Sequence, residues 1–217
     1  MSRQEEILDG LYENTLEGIA QPVIDLTKEG LELGMDPLDL LFKALIPALE
    51  EVGRLFEIGE YFVPEMLIAA NAMSGAMDIL QPLIAASGAE PLGVFVMGTV
   101  KGDIHDIGKN LCNVMLEGAG FQVIDLGVNV APEVFIEAIK EHQPDAVGMS
   151  AFLTTTMPMF IRNIEAIREA GLRDQVKILV GGAPVTQDYC DEVGADGFAA
   201  DANSCVRVTK QLLGIPV

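Results

Sequence analysis

Histidine is scarce in this chain, with two among 217 residues. One of them, His105, lies in the stretch GDIHDIGKN, with Asp103 two residues before it and Asp106 directly after. A carboxylate behind a ligating imidazole fixes its tautomer and raises its basicity, and Asp103 is placed to do this. A protein-only zinc or iron cage needs three or four ligands, and no second histidine or cysteine accompanies His105 in the loop. A single imidazole therefore suits a metal already held by a macrocycle, and equally suits an ordinary structural or exposed histidine. A hydrolytic triad of His105, Asp103 and Ser150 requires their loops to converge, but Ser150 lacks a GxSxG elbow and an evident oxyanion hole. No GxGxxG or GxxxxGK[ST] phosphate loop occurs, and Gly181-Gly182 reads as a close backbone approach or a tight turn. Cys112, Cys190 and Cys205 are widely spaced with no CxxC pair, which predicts quiet packing in a reducing compartment.

The elements that must hold this loop fall into two halves. Residues 1–87 read as helical, with apolar residues at helical spacing through Ile7, Leu8 and Leu11, then through Val23, Ile24, Leu31 and Leu33. Gly34 ends that stretch and Asp36-Pro37 restarts it as N-cap and first helical residue. Leu40, Leu41, Ala44, Leu45, Leu49, Val52 and Phe56 continue one face of a third helix, which Pro47 should kink. A fourth runs from near Pro64 to about Ile84, completing a small four-helix bundle. A short linker is expected at 88–91. Residues 92–217 alternate apolar strands (LGVFVMGTV, FQVIDLG, AVGMSAF, KILVGG and a weak one near Gly197) with amphipathic helices. That alternation predicts an α/β domain with a flavodoxin-like five-stranded parallel sheet and helices on both faces. Ligands in such sheets bind beyond the carboxyl ends of the strands. The loops after the first, third and fourth strands, TVKGDIHDIG, SAFLTTTM and GGAPVTQ, should therefore converge.

Composition narrows the classes further. A formal charge of -20 opposes binding to nucleic acid or to an anionic membrane surface. No apolar run approaches the length that crosses a bilayer, and no secretion signal opens the chain, so a cytoplasmic protein is expected.

Taken in order, Asp103-Ile104-His105-Asp106-Ile107-Gly108, then Ser150-Ala151-Phe152, then Gly181-Gly182 resemble the cobalamin-binding motif DxHxxG, SxL, GG. Forty-one residues separate Gly108 from Ser150 and 28 separate Phe152 from Gly181, which is similar to the family's spacing. The stretch EEVGRLFEIGEYFVPEMLIAANAM resembles the helical cap of cobalamin-dependent methionine synthase and of small corrinoid proteins. AGLRDQVKILVGGAPVTQDYCDEVGAD is similar to the methylamine branch of the corrinoid proteins serving methylamine, methanol and aryl-ether methyltransferases. The resemblance implies that His105 is the lower axial ligand to cobalt and that Asp103 tunes it. It implies that Asp106 belongs to the same cofactor-binding motif, and that Gly108 lets the nucleotide tail enter between the first and fourth strands. Ser150 and Thr154 would line the tail's pocket, Gly181 and Gly182 would pass beside it, and Thr156 would complete a relay with Asp103 and His105. Phe152 stands where the motif has leucine and would likewise belong to the cofactor-binding set. Phe56, Val63 and Met66 match positions that shield the upper cobalt face, although ordinary bundle packing explains them too.

The function implied is that of a methyl carrier with a bound cobalamin or related corrinoid. It accepts a methyl group on cobalt(I) from a substrate:corrinoid methyltransferase. It then donates that group from methyl-cobalt(III) to a second methyltransferase acting on tetrahydrofolate or a thiol coenzyme, with a reductive activator as a further partner. The rivals are the cobalamin-binding subunit of a radical mutase, which typically lacks such a cap, and a cobalamin sensor, which normally carries an output domain.

Overall fold

The computed structural model describes residues 2–87 and 91–216, so residues 88–90 of the expected linker lie outside the described residues. The chain forms two compact units, one helical and one α/β, the second beginning at Pro91.

In the helical unit, α1 (Arg3–Leu16) opens on a capping box in which Ser2 and Glu5 exchange hydrogen bonds. It is followed by α2 (Ala20–Glu32). A third helical run comprises α3 (Pro37–Leu40), a π turn over Leu41–Leu45 and α4 (Ile46–Glu57). Asp36 caps it by accepting from the Leu38 amide at 2.9 Å. The kink expected at Pro47 takes a different form. Pro47 has no N–H for the carbonyl four residues back, and the preceding turn widens so that the Ile46 amide bonds to the Leu41 carbonyl. Leu40, Leu41, Ala44, Leu45, Leu49 and Val52 are buried, while Phe56 is half-buried.

The last helix, α5 (Val63–Ser87), packs on α2 and α4 and buries Met66, Ala69, Ala70, Ala72, Met73, Ala76 and Leu80. By length and composition its segment Val63–Ile84 is apolar enough to cross a bilayer, with mean hydropathy 1.3. This corrects the expectation that no run approaches that length. A bundle's core helix rich in alanine and methionine is apolar on most faces, a property it shares with a membrane span.

The α/β unit runs β1 (Val94–Thr99), α6 (Ile107–Gly118), β2 (Gln122–Asp125), α7 (Pro132–His142), β3 (Ala146–Ser150), α8 (Pro158–Glu169), β4 (Lys177–Gly181), α9 (Gln187–Val193), β5 (Gly197–Ala199) and α10 (Ala202–Leu212). The strands pair in parallel in the order β2-β1-β3-β4-β5. Alternate residues of β1 face opposite sides. Val96 joins a core with Phe135 of α7 and Phe160 of α8, while Phe95 and Met97 point to the other face. Gly148 of β3 makes room for them: a Cβ there would come within 2.6 Å of both the Phe95 ring and the Met97 sulfur.

Strand order reverses between β1 and β3, so the crevice at their carboxyl ends is the sheet's switch point. β3 also separates β1 from β4, so the strands between which a nucleotide tail was expected to enter are not neighbours.

Candidate functional site

The loop from β1 to α6 is pinned from three directions. Thr99, fully buried at the end of β1, donates its hydroxyl to the His105 carbonyl at 3.0 Å. The Asp103 amide bonds to the Val100 carbonyl at 3.1 Å. Across the crevice, Asn129 in the β2–α7 loop accepts from the Gly102 amide at 2.8 Å and donates its own amide to the Asp103 carbonyl at 2.9 Å. It reaches both by adopting φ 56°, a left-handed conformation that asparagine tolerates better than most residues.

Asp103 is fully buried, yet its carboxylate has a hydrogen-bond donor on every side. Oδ1 accepts from the His105 amide at 3.1 Å and from His105 Nδ1 at 2.7 Å. Oδ2 accepts from the amides of Phe152 at 2.8 Å and Leu153 at 3.2 Å, and from the Thr156 hydroxyl at 2.7 Å. Burial alone would raise the carboxyl's pKa. The bonds from Thr156 and His105, with those from the His105 and Phe152 amides, outweigh it and hold the group well below the usual carboxylate range. Asp103 is thus an anion at neutral pH that ties the loop after β1 to the loop after β3.

An ionised carboxylate only accepts, so the bond to Nδ1 places a proton on that nitrogen and leaves the lone pair of neutral His105 on Nε2. The imidazole side chain is 45% exposed. Its face stacks on Phe152, with ring centroids 4.4 Å apart and planes at 27°. The same two loops and the first residue of α6 expose apolar side chains, Ile104 at 73%, Ile107 at 71% and Phe152 at 50%. The arrangement offers one oriented nitrogen donor on a largely apolar rim, which can hold an apolar macrocycle through a single metal bond. Among the described residues no group of three or more histidine, cysteine or acidic side chains is placed to hold a metal ion by itself.

The structure brings Asp103, His105, Phe152 and Thr156 into direct contact. Asp106 directly precedes α6 and Gly108 lies in its first turn, where a Cβ would meet nothing within 4 Å. Ser150 ends β3 and Thr154 is exposed in the following loop. Neither side chain is a partner of Asp103 or His105, and Thr156 holds the position that a Ser150 triad would need. Gly182 (φ 124°) passes so close to β3's loop that a Cβ would lie 2.0 Å from the Ala151 carbonyl oxygen, and one on Gly181 would lie 3.0 Å from the Ala199 oxygen. This glycine pair therefore meets a backbone requirement first. In the helical unit Met66 is buried, Phe56 half-buried and Val63 exposed.

Three residues that hold the site have no counterpart in the sequence reading: Thr99, Asn129 and Lys109. Lys109 is nearly buried in α6, and its ammonium bonds both Asp125 carboxylate oxygens at 2.6 and 2.7 Å, fastening the helix to the end of β2. The fragment LGVNVAP, with a glycine, an asparagine and a proline just past a strand, is the signal by which Asn129 could have been found.

A family model described as a B12 binding domain matches residues 93–206, and a second with the same description matches residues 7–81. The chain is 41% identical over 217 residues to trimethylamine corrinoid protein 2 of Methanosarcina mazei, covering 99% of this chain and 100% of that one. Among solved structures it is similar to the methanol:cobalamin methyltransferase complex MtaBC from Methanosarcina barkeri, with 28% identity, TM-score 0.84, and coverage of 97% of this chain and 80% of that one. It is also similar to the monomethylamine corrinoid protein of M. barkeri, with 35% identity, TM-score 0.55, and coverage of 96% and 99%. With an oriented imidazole at the switch point and relatives matched end to end, the chain belongs to the B12-binding corrinoid proteins of the methylamine and methanol methyltransferase systems.

Proposed function

We propose that this chain carries a methyl group between two methyltransferases on a bound corrinoid, with His105 as the protein ligand to cobalt. The observation that carries the reading is His105 itself, with Nδ1 bonded to a buried, ionised Asp103 and Nε2 left to coordinate. The corrinoid, when bound, supplies a metal that takes up a methyl group as a nucleophile and gives it up as an electrophile. His105 would orient the cofactor, and Asp103 would retain the Nδ1 proton so that Nε2 can bind or leave cobalt. Thr156 has one hydroxyl proton and two acceptors, Asp103 at 2.7 Å and the Leu153 carbonyl at 2.8 Å. By turning between them it would adjust how strongly Asp103 draws on the imidazole.

The exposed isoleucines beside His105 support a large apolar ligand, and Gly108 leaves open space in the first turn of α6. Asp106, Ser150, Phe152, Thr154, Gly181 and Gly182 as cofactor contacts and Phe56, Val63 and Met66 as a lid complete the proposal on the resemblance of the motifs, with the linker near residues 85–91 as the hinge. So do a reductive activator as a partner and a cytoplasmic setting. The helical unit, matched over residues 7–81, favours the carrier over a mutase subunit or a sensor.

The test is to load the apoprotein with hydroxocobalamin, remove free cofactor, and compare its visible spectrum with that of His105→Ala. A histidine-ligated spectrum in the wild type that is lost in the variant is expected. A folded wild type that retains no corrinoid ends the proposal.

A further inference from the structure

Phe152 is a large aromatic side chain, 50% exposed, that adds little to the core of the α/β unit. Its ring lies against the imidazole of His105 at 4.4 Å with the planes 27° apart. The same buried carboxylate anchors both residues: Asp103 Oδ1 accepts from Nδ1 of the His105 ring, and Oδ2 accepts from the Phe152 backbone amide. A hydrogen bond at Nδ1 fixes one edge of the imidazole but tolerates tilt about that edge, because hydrogen bonds stay favourable over tens of degrees. A flat neighbour on the ring face removes that remaining freedom. The leucine found at this place in the motif is branched and cannot present a flat face.

We infer that Phe152 is a positioning residue for the cobalt ligand: it clamps the His105 ring plane so that Nε2 has one direction before the cofactor arrives. The inference rests on the carrier reading for its consequence, while the clamp itself exists in the apoprotein. Pre-setting the ring reduces the freedom lost on ligation, so removing the stack weakens the histidine–cobalt bond and leaves the rest of the cofactor site in place.

Two measurements test it on the full chain. In the apoprotein, carbon-edited NMR of the imidazole C–H groups reports the stack, because a proton over an aromatic face moves upfield. His142, at the end of α7, is the internal control. The His105 signals are expected upfield in the wild type and in Phe152→Tyr, and shifted back downfield in Phe152→Leu and Phe152→Ala, with His142 unmoved. The second measurement loads each protein, grown with 15N-labelled histidine, with hydroxocobalamin and reduces the metal by one electron. It reads histidine-bound against histidine-free cofactor from the paired 15N splitting in the electron paramagnetic resonance signal, which the cofactor's own unlabelled base does not give. The bound-to-free ratio should fall about two- to tenfold in Phe152→Leu, the range an aromatic pair accounts for, and recover in Phe152→Tyr. Identical His105 shifts in wild type and Phe152→Leu overturn the clamp. A lost stack with an unchanged ratio overturns the positioning role. A wild type that takes up no corrinoid overturns the carrier reading, and the positioning role with it, while the NMR arm still decides whether the rings stack.

Discussion

Replacing Asp103 with asparagine tests whether one carboxylate sets the tautomer of His105. Five donors converge on Asp103: two on Oδ1, from the His105 amide and Nδ1, and three on Oδ2, from the Phe152 and Leu153 amides and the Thr156 hydroxyl. Asparagine offers one oxygen and one NH2. Turning its oxygen toward the three donors leaves the NH2 facing His105, and Nδ1 can then only accept. The imidazole must move its proton to Nε2, which removes the lone pair needed for cobalt. The His105 amide is left opposed to a donor, at a cost of about 1–3 kcal/mol, and three bonds lose their charge assistance at roughly 1 kcal/mol each. Relief from burying a charge returns part of this, so a net destabilisation of about 2–4 kcal/mol at neutral pH is expected. The pH dependence carries a definite sign. Asp103 is held below its ordinary value, so its contribution is complete above the unfolded carboxylate pKa of about 3.9 and is lost as pH falls through the folded value. Urea unfolding of the apoproteins should therefore show a constant gap between wild type and variant from neutrality down to mild acid, closing only below that. The hydroxocobalamin-loaded variant should show a histidine-free spectrum. A variant as stable as the wild type that keeps the histidine-ligated spectrum would refute the tautomer argument.

Asn129→Ala should cost about 1.5–3 kcal/mol, from the left-handed backbone and the lost bond to the Gly102 amide, whereas Asn129→Gly should recover the backbone part. Urea midpoints that do not differ between the two would count against the strain argument. Burial and the neighbouring Asp191 and Asp196 raise the Cys190 thiol, and Cys205 is raised by its hydrogen bond with Cys112 and by burial. Both should resist iodoacetamide at about pH 8 in the native protein and react once unfolded. Their share of stability holds below the unfolded thiol pKa of about 8.5 and declines as pH rises beyond it. Rapid native labelling of Cys205 would contradict this packing.

What could be read in the sequence was what is local or periodic. The Asp103–His105 pair is two residues apart, and the four helices and five strands announce themselves by spacing, so these needed no tertiary information. Thr156 lies 53 residues from Asp103 and was reachable only through a family motif. Asn129 and Lys109 act across loops, 27 and 16 residues from their partners, and a lone asparagine or lysine carries no sign of what it will meet. Pro47 predicted a disturbance, but whether a helix bends or widens depends on what packs around it. The Gly181-Gly182 pair was ambiguous for a related reason: only the approach of the Ala151 carbonyl shows that backbone, ahead of any ligand, excludes a side chain there.

The buried carboxylate also explains why function and fold are hard to separate at this site. The loops after β1 and β3 are joined through Asp103, so any change there alters the ligand's tautomer and the scaffold together. Phe152 stands on the same carboxylate but is half-exposed, and its side chain can be cut back with little effect on the core. Comparing Asp103→Asn with Phe152→Leu therefore divides the two demands. If ligand orientation alone governs cobalt binding, the leucine variant weakens ligation at unchanged stability. If scaffold integrity governs it, ligation follows stability across both variants, and the leucine variant binds as the wild type does.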